Sequence, residues 1–247
     1  MTKYPSILTY HEMGNKGSLN STLTGDGSFK RDTGYYVTEK IDGTNSRIIV
    51  CGDDFILGSR EHLLYARGDR FGDPAQHIVE TVKSYAEIII NKIKDASGLY
   101  VFYGETYGGN ITAASREYTK DQTYSFRLFD FISIPFKNLE DILKKPVQEL
   151  SCWREGDHGY FGSVDDLKKM AEDIGIPRVP PLAVVPGNEI PDDPPDTYQW
   201  LQQYRKTEAG INAEGNAEGV VIRTRDRSII RKLRFEDYER TRKRNNW

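Results

Sequence analysis

Apolar residues in this chain gather into short runs broken by charged turns, and the spacing within each run separates strands from helices. Tyr35-Tyr36-Val37 has strand character, and Ser46-Arg47-Ile48-Ile49-Val50 follows it across Asp42-Gly43, a pair that predicts a tight turn between two strands. Phe55 to Ser59 reads as a third strand. Leu99 to Glu105 and Tyr124 to Ile132, dense in aromatic and aliphatic residues, read as central strands. Gly219 to Thr224 and Ser228 to Arg234 form a last predicted hairpin around the charged turn Arg225-Asp226-Arg227.

The period changes from two to three or four at Ile78, Val82, Tyr85, Ile89 and Ile93, which share one helical face; Asp73 can cap that helix and Pro74 suits its first turn. A second helix is expected from Ser163, with Asp166 at capping-box spacing, to Gly175. Seven of the eleven prolines fall between Pro177 and Pro195, an extended wall or mobile loop, followed by a helix around Thr197 to Glu208. Residues 1–34, rich in Gly, Ser, Thr and Asn, read as irregular. Many strands with interspersed helices and no regular alternation predict an α+β fold of twisted, largely antiparallel sheets. We expect one domain over residues 1–247, with 235–247 as a basic C-terminal helix or tail.

Composition narrows the class. The chain has 247 residues, 37% hydrophobic and 29% charged, and no apolar run approaches the roughly 18 residues of a membrane span. Its start, Met1-Thr2-Lys3-Tyr4-Pro5, lacks the apolar stretch of a signal peptide, so the chain is expected to be intracellular (cytoplasmic or phage-encoded) and not secreted. Cys51 and Cys152 have no paired spacing and the four histidines are scattered, which argues against a disulfide framework or a zinc site and for reduced core thiols. The net charge of −3 hides an asymmetry: residues 223–244 hold ten Lys or Arg against four Asp or Glu. That end is a candidate phosphate-binding surface, or a solvated terminal helix.

Lys40, in Glu39-Lys40-Ile41-Asp42-Gly43-Thr44-Asn45, stands at a predicted strand end facing a cleft, where an amine can act as a covalent nucleophile. Further polar or aromatic residues recur at strand ends: Arg60, Glu105, Phe129 with Asp130, Glu218, then Lys232 and Arg234. Each alone reads as a strand-end charge or a core ring. Their order makes sense around one nucleotide.

Together they resemble the covalent nucleotidyltransferases, the superfamily of ATP-dependent polynucleotide ligases and mRNA capping enzymes. Lys40-Ile41-Asp42-Gly43 looks like the nucleotidyl-lysine motif, and Tyr103-Gly104-Glu105, Phe129-Asp130, Glu218-Gly219-Val220-Val221 and Lys232-Leu233-Arg234 look like the motifs that follow. Within the superfamily the chain is most similar to the RNA ligase 2 class, through Lys3-Tyr4-Pro5-Ser6-Ile7, Glu39 to Asn45 and Arg60. The fold implied is a nucleotidyltransferase (adenylation) domain. Only thirteen residues follow Arg234, so neither a C-terminal oligonucleotide-binding barrel nor a helical C-terminal domain is expected within this sequence; a protein partner or a dimer would supply the missing part, or the sequence is cut short of it.

The resemblance implies ATP as AMP donor and Mg²⁺ or Mn²⁺ as metal. Lys40, Lys232 and Arg234 are the implied catalytic residues, with Lys232 on the phosphate; Arg234 stands where many relatives have lysine. Glu39 and Ile41 would lie at the nucleotide, Glu39 near the adenine edge. Phe129 would stack on the base, Glu105 would bond the ribose and Glu218 would arrange the metal. Asn45, Arg60 and Arg234 would meet the RNA, the first two at AMP phosphate and the RNA 5′ end. The activity implied joins 5′-phosphate and 3′-hydroxyl ends of RNA, free or in a nicked duplex, through lysyl-AMP and an adenylylated 5′ end. A minimal DNA ligase, a capping-type guanylyltransferase and a nucleotide- or RNA-end-binding module without turnover remain as alternatives.

Overall fold

A computed structural model describes residues 1–25, 29, 33–72, 77–93, 97–156 and 158–247. The described strands are β1 (Leu8–Thr9), β2 (His11–Met13), β3 (Leu19–Leu23), β4 (Gly34–Lys40), β5 (Thr44–Cys51), β6 (Asp54–Ser59), β7 (Leu63–Ala66), β8 (Asp69–Arg70), β9 (Gly98–Gly108), β10 (Tyr124–Pro135), β11 (Pro181–Pro186), β12 (Gly219–Arg223) and β13 (Ile230–Arg234). The α-helices are α1 (Ile78–Lys92), α2 (Ser115–Tyr118), α3 (Phe136–Leu143), α4 (Val147–Glu155), α5 (Val164–Ile174), α6 (Pro194–Leu201) and α7 (Phe235–Asn245). The fold is α+β. A five-stranded sheet runs β1-β13-β12-β4-β11 and a six-stranded sheet runs β10-β9-β5-β6-β7-β8, every pair antiparallel except β1 with β13.

The hairpin expected around Asp42-Gly43 does not form. β4 and β5 belong to different sheets: β4 pairs with β12 and β11, and β5 pairs with β6 and β9. The chain crosses between sheets at residues 41–43, and Gly43 is needed there for close approach. A Cβ at Gly43 would stand 2.4 Å from the carbonyl oxygen of Thr106.

Other expectations also shift. β9 is internal, but β10 forms a sheet edge, covered by the following chain through the bonds from Leu128 N to Pro177 O and from Val179 N to Leu128 O. Residues 1–34 hold three short strands, of which β1 extends the five-stranded sheet at β13. The proline-rich stretch is an extended wall, with β11 on the edge of β4 where proline's missing N–H costs least. The next helix starts at Pro194, because prolines fit its first turn. It ends at Leu201, followed by a 3₁₀ turn over Gln202–Tyr204, and residues 207–209 are drawn toward Glu39. Cys51 and Cys152 are free thiols but both are exposed, so they are not core residues.

Helix α5 carries the expected capping box, Ser163 accepting from Asp166 N and Asp166 from Ser163 N, and stops at left-handed Gly175 (φ 75°). Helix α1 presents Ile78, Val82, Ala86 and Ile89 to Ile48, Val50 and Leu57 of the six-stranded sheet. The proposed caps Asp73 and Pro74 lie outside the described residues. A second core packs Tyr35 and Val37 of β4 and Val220 and Ile222 of β12 against Leu201 and Tyr238. Alternation along β4 therefore turns Tyr36, Thr38 and Lys40 the other way, into a cleft.

One buried charge cluster ties the two sheets together. Asp130 on β10, fully buried, accepts from Tyr4 Oη at 2.9 Å and Arg227 Nε at 2.6 Å, with Arg223 of β12 at 3.4 Å. The Arg227 guanidinium also lies 3.5 Å from the Phe161 ring centre.

Candidate active site

The cleft has a volume of about 790 Å³ and lies where the five-stranded sheet meets the ends of β5, β9 and β10. Lys40 enters it from the end of β4. Its Nζ donates to Glu218 Oε2 at 2.5 Å, a contact made by pairing β4 with β12 so that Lys40 lies opposite Gly219. On its other side Gly219 lies opposite Arg234 of β13, where a Cβ would collide with the Leu233 carbonyl oxygen, so glycine is needed for that close approach.

Lys232 projects into the same cleft from β13, opposite Val221. Its amine has no hydrogen-bond or carboxylate partner among the described residues. Burial, then Arg234 and Lys40, hold its pKa below that of an ordinary lysine, against the pull of Asp237 and Glu218. Arg234 shares its face of β13 but is committed elsewhere: Nε and Nη2 each bond Asp237 of α7 at 2.8 Å, and Nη1 lies 4.0 Å from Glu218 Oε1. It braces Glu218 from behind.

Glu105 on β9 closes the other side. It lies opposite Asn45 of β5, half-buried, and desolvation with the carboxylates of Glu218 and Asp42 pushes its pKa up to about 8, against Lys40 and the Gly43 N–H. Phe129 owes its place to a β-bulge. Leu128 pairs with Gly104 and Asp130 with Tyr103, so Phe129 is the extra residue, and Tyr4 meets its ring edge-on at 5.0 Å. Phe129, Val221 and Ile41 all line the cleft, and Ile41 also packs with Tyr107, Tyr118 and Val179.

Glu39 is placed differently from its neighbour. Its carboxylate, 1% exposed, points to the opposite face of β4 and accepts from Thr207 Oγ1 at 2.5 Å, Glu208 N at 2.8 Å and Ala209 N at 2.9 Å. Burial raises its pKa in spite of these bonds. Asn45 and Arg60 stand at the rim, where Asn45 Oδ1 and Arg60 Nε are buried without a partner and Arg60 Nη2 donates to Ser6 Oγ at 2.6 Å. The structure thus brings Lys40, Ile41, Glu105, Phe129 and Lys232 to one cleft, with Asn45 and Arg60 at its edge and Glu218 reaching it through its bond with Lys40. Glu39 and Arg234 direct their polar groups into supporting bonds.

Sequence reasoning missed Tyr4, Arg223 and Arg227, which hold the strand carrying Phe129. Arg223 had a readable signal, standing two residues beyond Val221 on the same face. Half of the ten basic residues over 223–244 are spent on internal ion pairs: Arg223 and Arg227 on Asp130, Arg225 on Asp165, Arg234 on Asp237 and Arg240 on Glu236 and Asp237. Summed charge in the sequence does not show these pairs. Among the described residues, no group of three or more His, Cys, Asp or Glu side chains is placed to hold a metal ion, and no helix is long and apolar enough to cross a membrane.

A sequence profile of the RNA ligase family matches residues 33–241. The chain belongs to that family. No curated protein matches the sequence. Among solved structures, the fold is similar to the RNA ligase of Naegleria gruberi: with pyrophosphate (14% identity, TM-score 0.57, 97% of this chain and 64% of that one) and as a point variant with ATP and Mn (14%, 0.57, 86% and 53%). A further variant of that ligase, with AMP and Mn, is similar at 13% identity and TM-score 0.57 over 97% of this chain and 64% of the other. The chain thus spans between about half and two thirds of the length of those ligases.

Proposed function

We propose that this protein is an ATP-dependent RNA ligase. Lys40 takes AMP from ATP and passes it to an RNA 5′-phosphate, and the adjoining 3′-hydroxyl then displaces AMP to close the strand. The observation that carries the reading is the Lys40–Glu218 contact, set beside the unpartnered amine of Lys232 in a cleft sized for a small molecule. In the first step a Nζ lone pair bonds the α-phosphorus as the bond to the pyrophosphate oxygen breaks. The proton lost from the amine has Glu218 as its nearest acceptor. Lys232 then meets the charge that develops on the phosphate.

Phe129 and Val221 offer apolar surfaces to the base. Because the Glu39 carboxylate is occupied by residues 207–209 and its N–H donates to Pro180 O, its backbone carbonyl is the group left to meet the adenine edge. Glu105, protonated near neutral pH, can donate to a ribose hydroxyl as well as accept from one. The carboxylate of Glu218, held against Lys40, is the oxygen donor that would meet Mg²⁺ or Mn²⁺, with phosphate oxygens and waters as the remaining ligands. Such an ion supplies positive charge against the α-phosphate. ATP, AMP, pyrophosphate and Mn in the similar Naegleria gruberi structures support this assignment.

Incubation with α-labelled ATP and Mg²⁺ tests the reading. The intact protein gains one AMP by mass spectrometry and Lys40→Ala gains none; label persisting on Lys40→Ala overturns it. Nicked duplexes with RNA or DNA at the 3′-hydroxyl side then separate RNA from DNA sealing, and GTP in place of ATP tests for capping-type transfer.

A further inference from the structure

A row of unsatisfied polar groups leads away from Lys40 across the six-stranded sheet. Side chains alternate along a strand, so Asn45 and Arg47 point to one side of β5, and Arg47 lies opposite Gly58 of β6, the strand that leads to Arg60. Asn45 Oδ1, Arg60 Nε and Arg47 Nε are all buried without a hydrogen-bond partner among the described residues. Half of the buried orphan side-chain atoms described thus fall in this one row.

Arg47 is the most unusual of the three. It is 5% exposed and makes no ion pair among the described residues, yet its guanidinium is accommodated by design of the neighbouring strand. A Cβ on Gly58 would lie 2.8 Å from its Nε. Tyr103 and Glu61 favour its charge, while burial and Arg154 oppose it. Glu61 is not free to answer it, since it pairs with Lys3 at 2.5 Å. A desolvated arginine with no ion pair among the described residues lacks a neutralising anion.

We propose that Arg47 is a phosphate subsite for the RNA strand, taking the backbone phosphodiester next to the end seated at Asn45 and Arg60. Residues two apart on a strand are separated by roughly 6.6 Å, a step on the scale of neighbouring phosphates in an extended single strand. The planar, permanently charged guanidinium suits a phosphodiester better than an ammonium does. This inference rests on the ligase reading for the identity of its polyanion.

The test is binding of a 5′-phosphorylated single-stranded RNA oligonucleotide to the full chain without ATP, from roughly 50 to 300 mM salt. Arg47→Met is expected to weaken binding about tenfold at low salt and to flatten the slope of log K against log salt by about 0.7, the loss of one single-strand phosphate contact. Arg47→Lys keeps the slope and lowers affinity in the same direction by less, and it decides the matter if Arg47→Met does not melt cooperatively. Wild-type affinity and slope in folded Arg47→Met, or wild-type affinity in Arg47→Lys where it alone is folded, overturn the subsite. Failure of wild-type Lys40 to take AMP from ATP sinks the ligase reading instead, and is read in a separate assay.

Discussion

Lys40 Nζ and Glu218 Oε2 stand 2.5 Å apart although 178 residues separate them in the sequence. The pairing of β4 with β12 creates this contact, and Arg234 holds it from behind by its fork to Asp237. A strand register, rather than a loop, thus aligns the nucleophile with its nearest proton acceptor.

Glu218→Gln preserves size and hydrogen bonding at Lys40 but removes the charge and the proton acceptor. AMP loading should slow by about 100-fold or more. Lys232→Ala should slow it by a similar factor, since it removes a phosphate-facing cation. Rapid-quench labelling with α-labelled ATP measures both, and either variant loading at the wild-type rate would show its side chain to be a bystander.

Arg234→Lys retains charge but makes at most one of the two bonds to Asp237, whereas Arg234→Ala makes neither and leaves that buried carboxylate only its longer contact to Arg240 at 3.4 Å. We expect loading to fall in the order wild type, Arg234→Lys, Arg234→Ala, with a lower melting temperature only for the alanine variant. Equal loading in all three would mean that Glu218 needs no brace.

Much of the candidate site was legible because Lys40 and Glu218 stand at strand ends and Glu105 and Lys232 within strands whose apolar pattern is local. The capping box at Ser163 and Asp166 was legible for the same reason. The crossover at Asp42-Gly43 was not, since the same dipeptide serves a hairpin, and only the distant strands β9 and β12 decide which partners β4 and β5 take. The cluster at Asp130 was invisible too: its members come from residues 4, 130, 223 and 227, and no local spacing links them. For the same reason the sum of charges over residues 223–244 overstated the free positive surface, because Arg234 and Arg240 close on Asp237.

Glu39 separates a structural carboxylate from a chemical one. In Glu39→Gln the side-chain oxygen can still accept from Glu208 N and Ala209 N, while the amide donates to the Thr207 hydroxyl, so stability should change by less than about 1 kcal/mol. Glu39→Ala strands the Thr207 hydroxyl and Glu208 N, leaves Ala209 N only its bond to Thr207 Oγ1 at 3.1 Å, and should cost about 2–4 kcal/mol. Urea unfolding of both variants checks this; equal losses would mean that charge, rather than hydrogen bonding, holds residues 207–209.

Asp130→Asn removes the charge facing Arg223 and Arg227 while keeping the volume. Both guanidiniums stay buried with no compensating anion, so about 3–5 kcal/mol of stability should be lost. Phe129 is the adjacent residue, so the same variant should weaken ATP binding. Thermal melting with and without ATP tests both, and a melting temperature near wild type would show that solvent reaches the cluster.

Glu105 gives the pH dependence a sign. Its folded pKa, about 8, lies above the ordinary value of 4.5, so between those limits the folded chain holds a proton that the unfolded chain has released. The stability contributed by the neutral carboxyl is fully present below the ordinary value and is lost as pH rises through about 8. Glu105→Gln, permanently neutral, should escape this loss. Melting temperatures of the two proteins should therefore diverge in favour of Glu105→Gln as pH is raised from about 5 to 8. A constant difference across that range would place the Glu105 pKa near its ordinary value, and the carboxyl would then meet a ribose hydroxyl only as an acceptor.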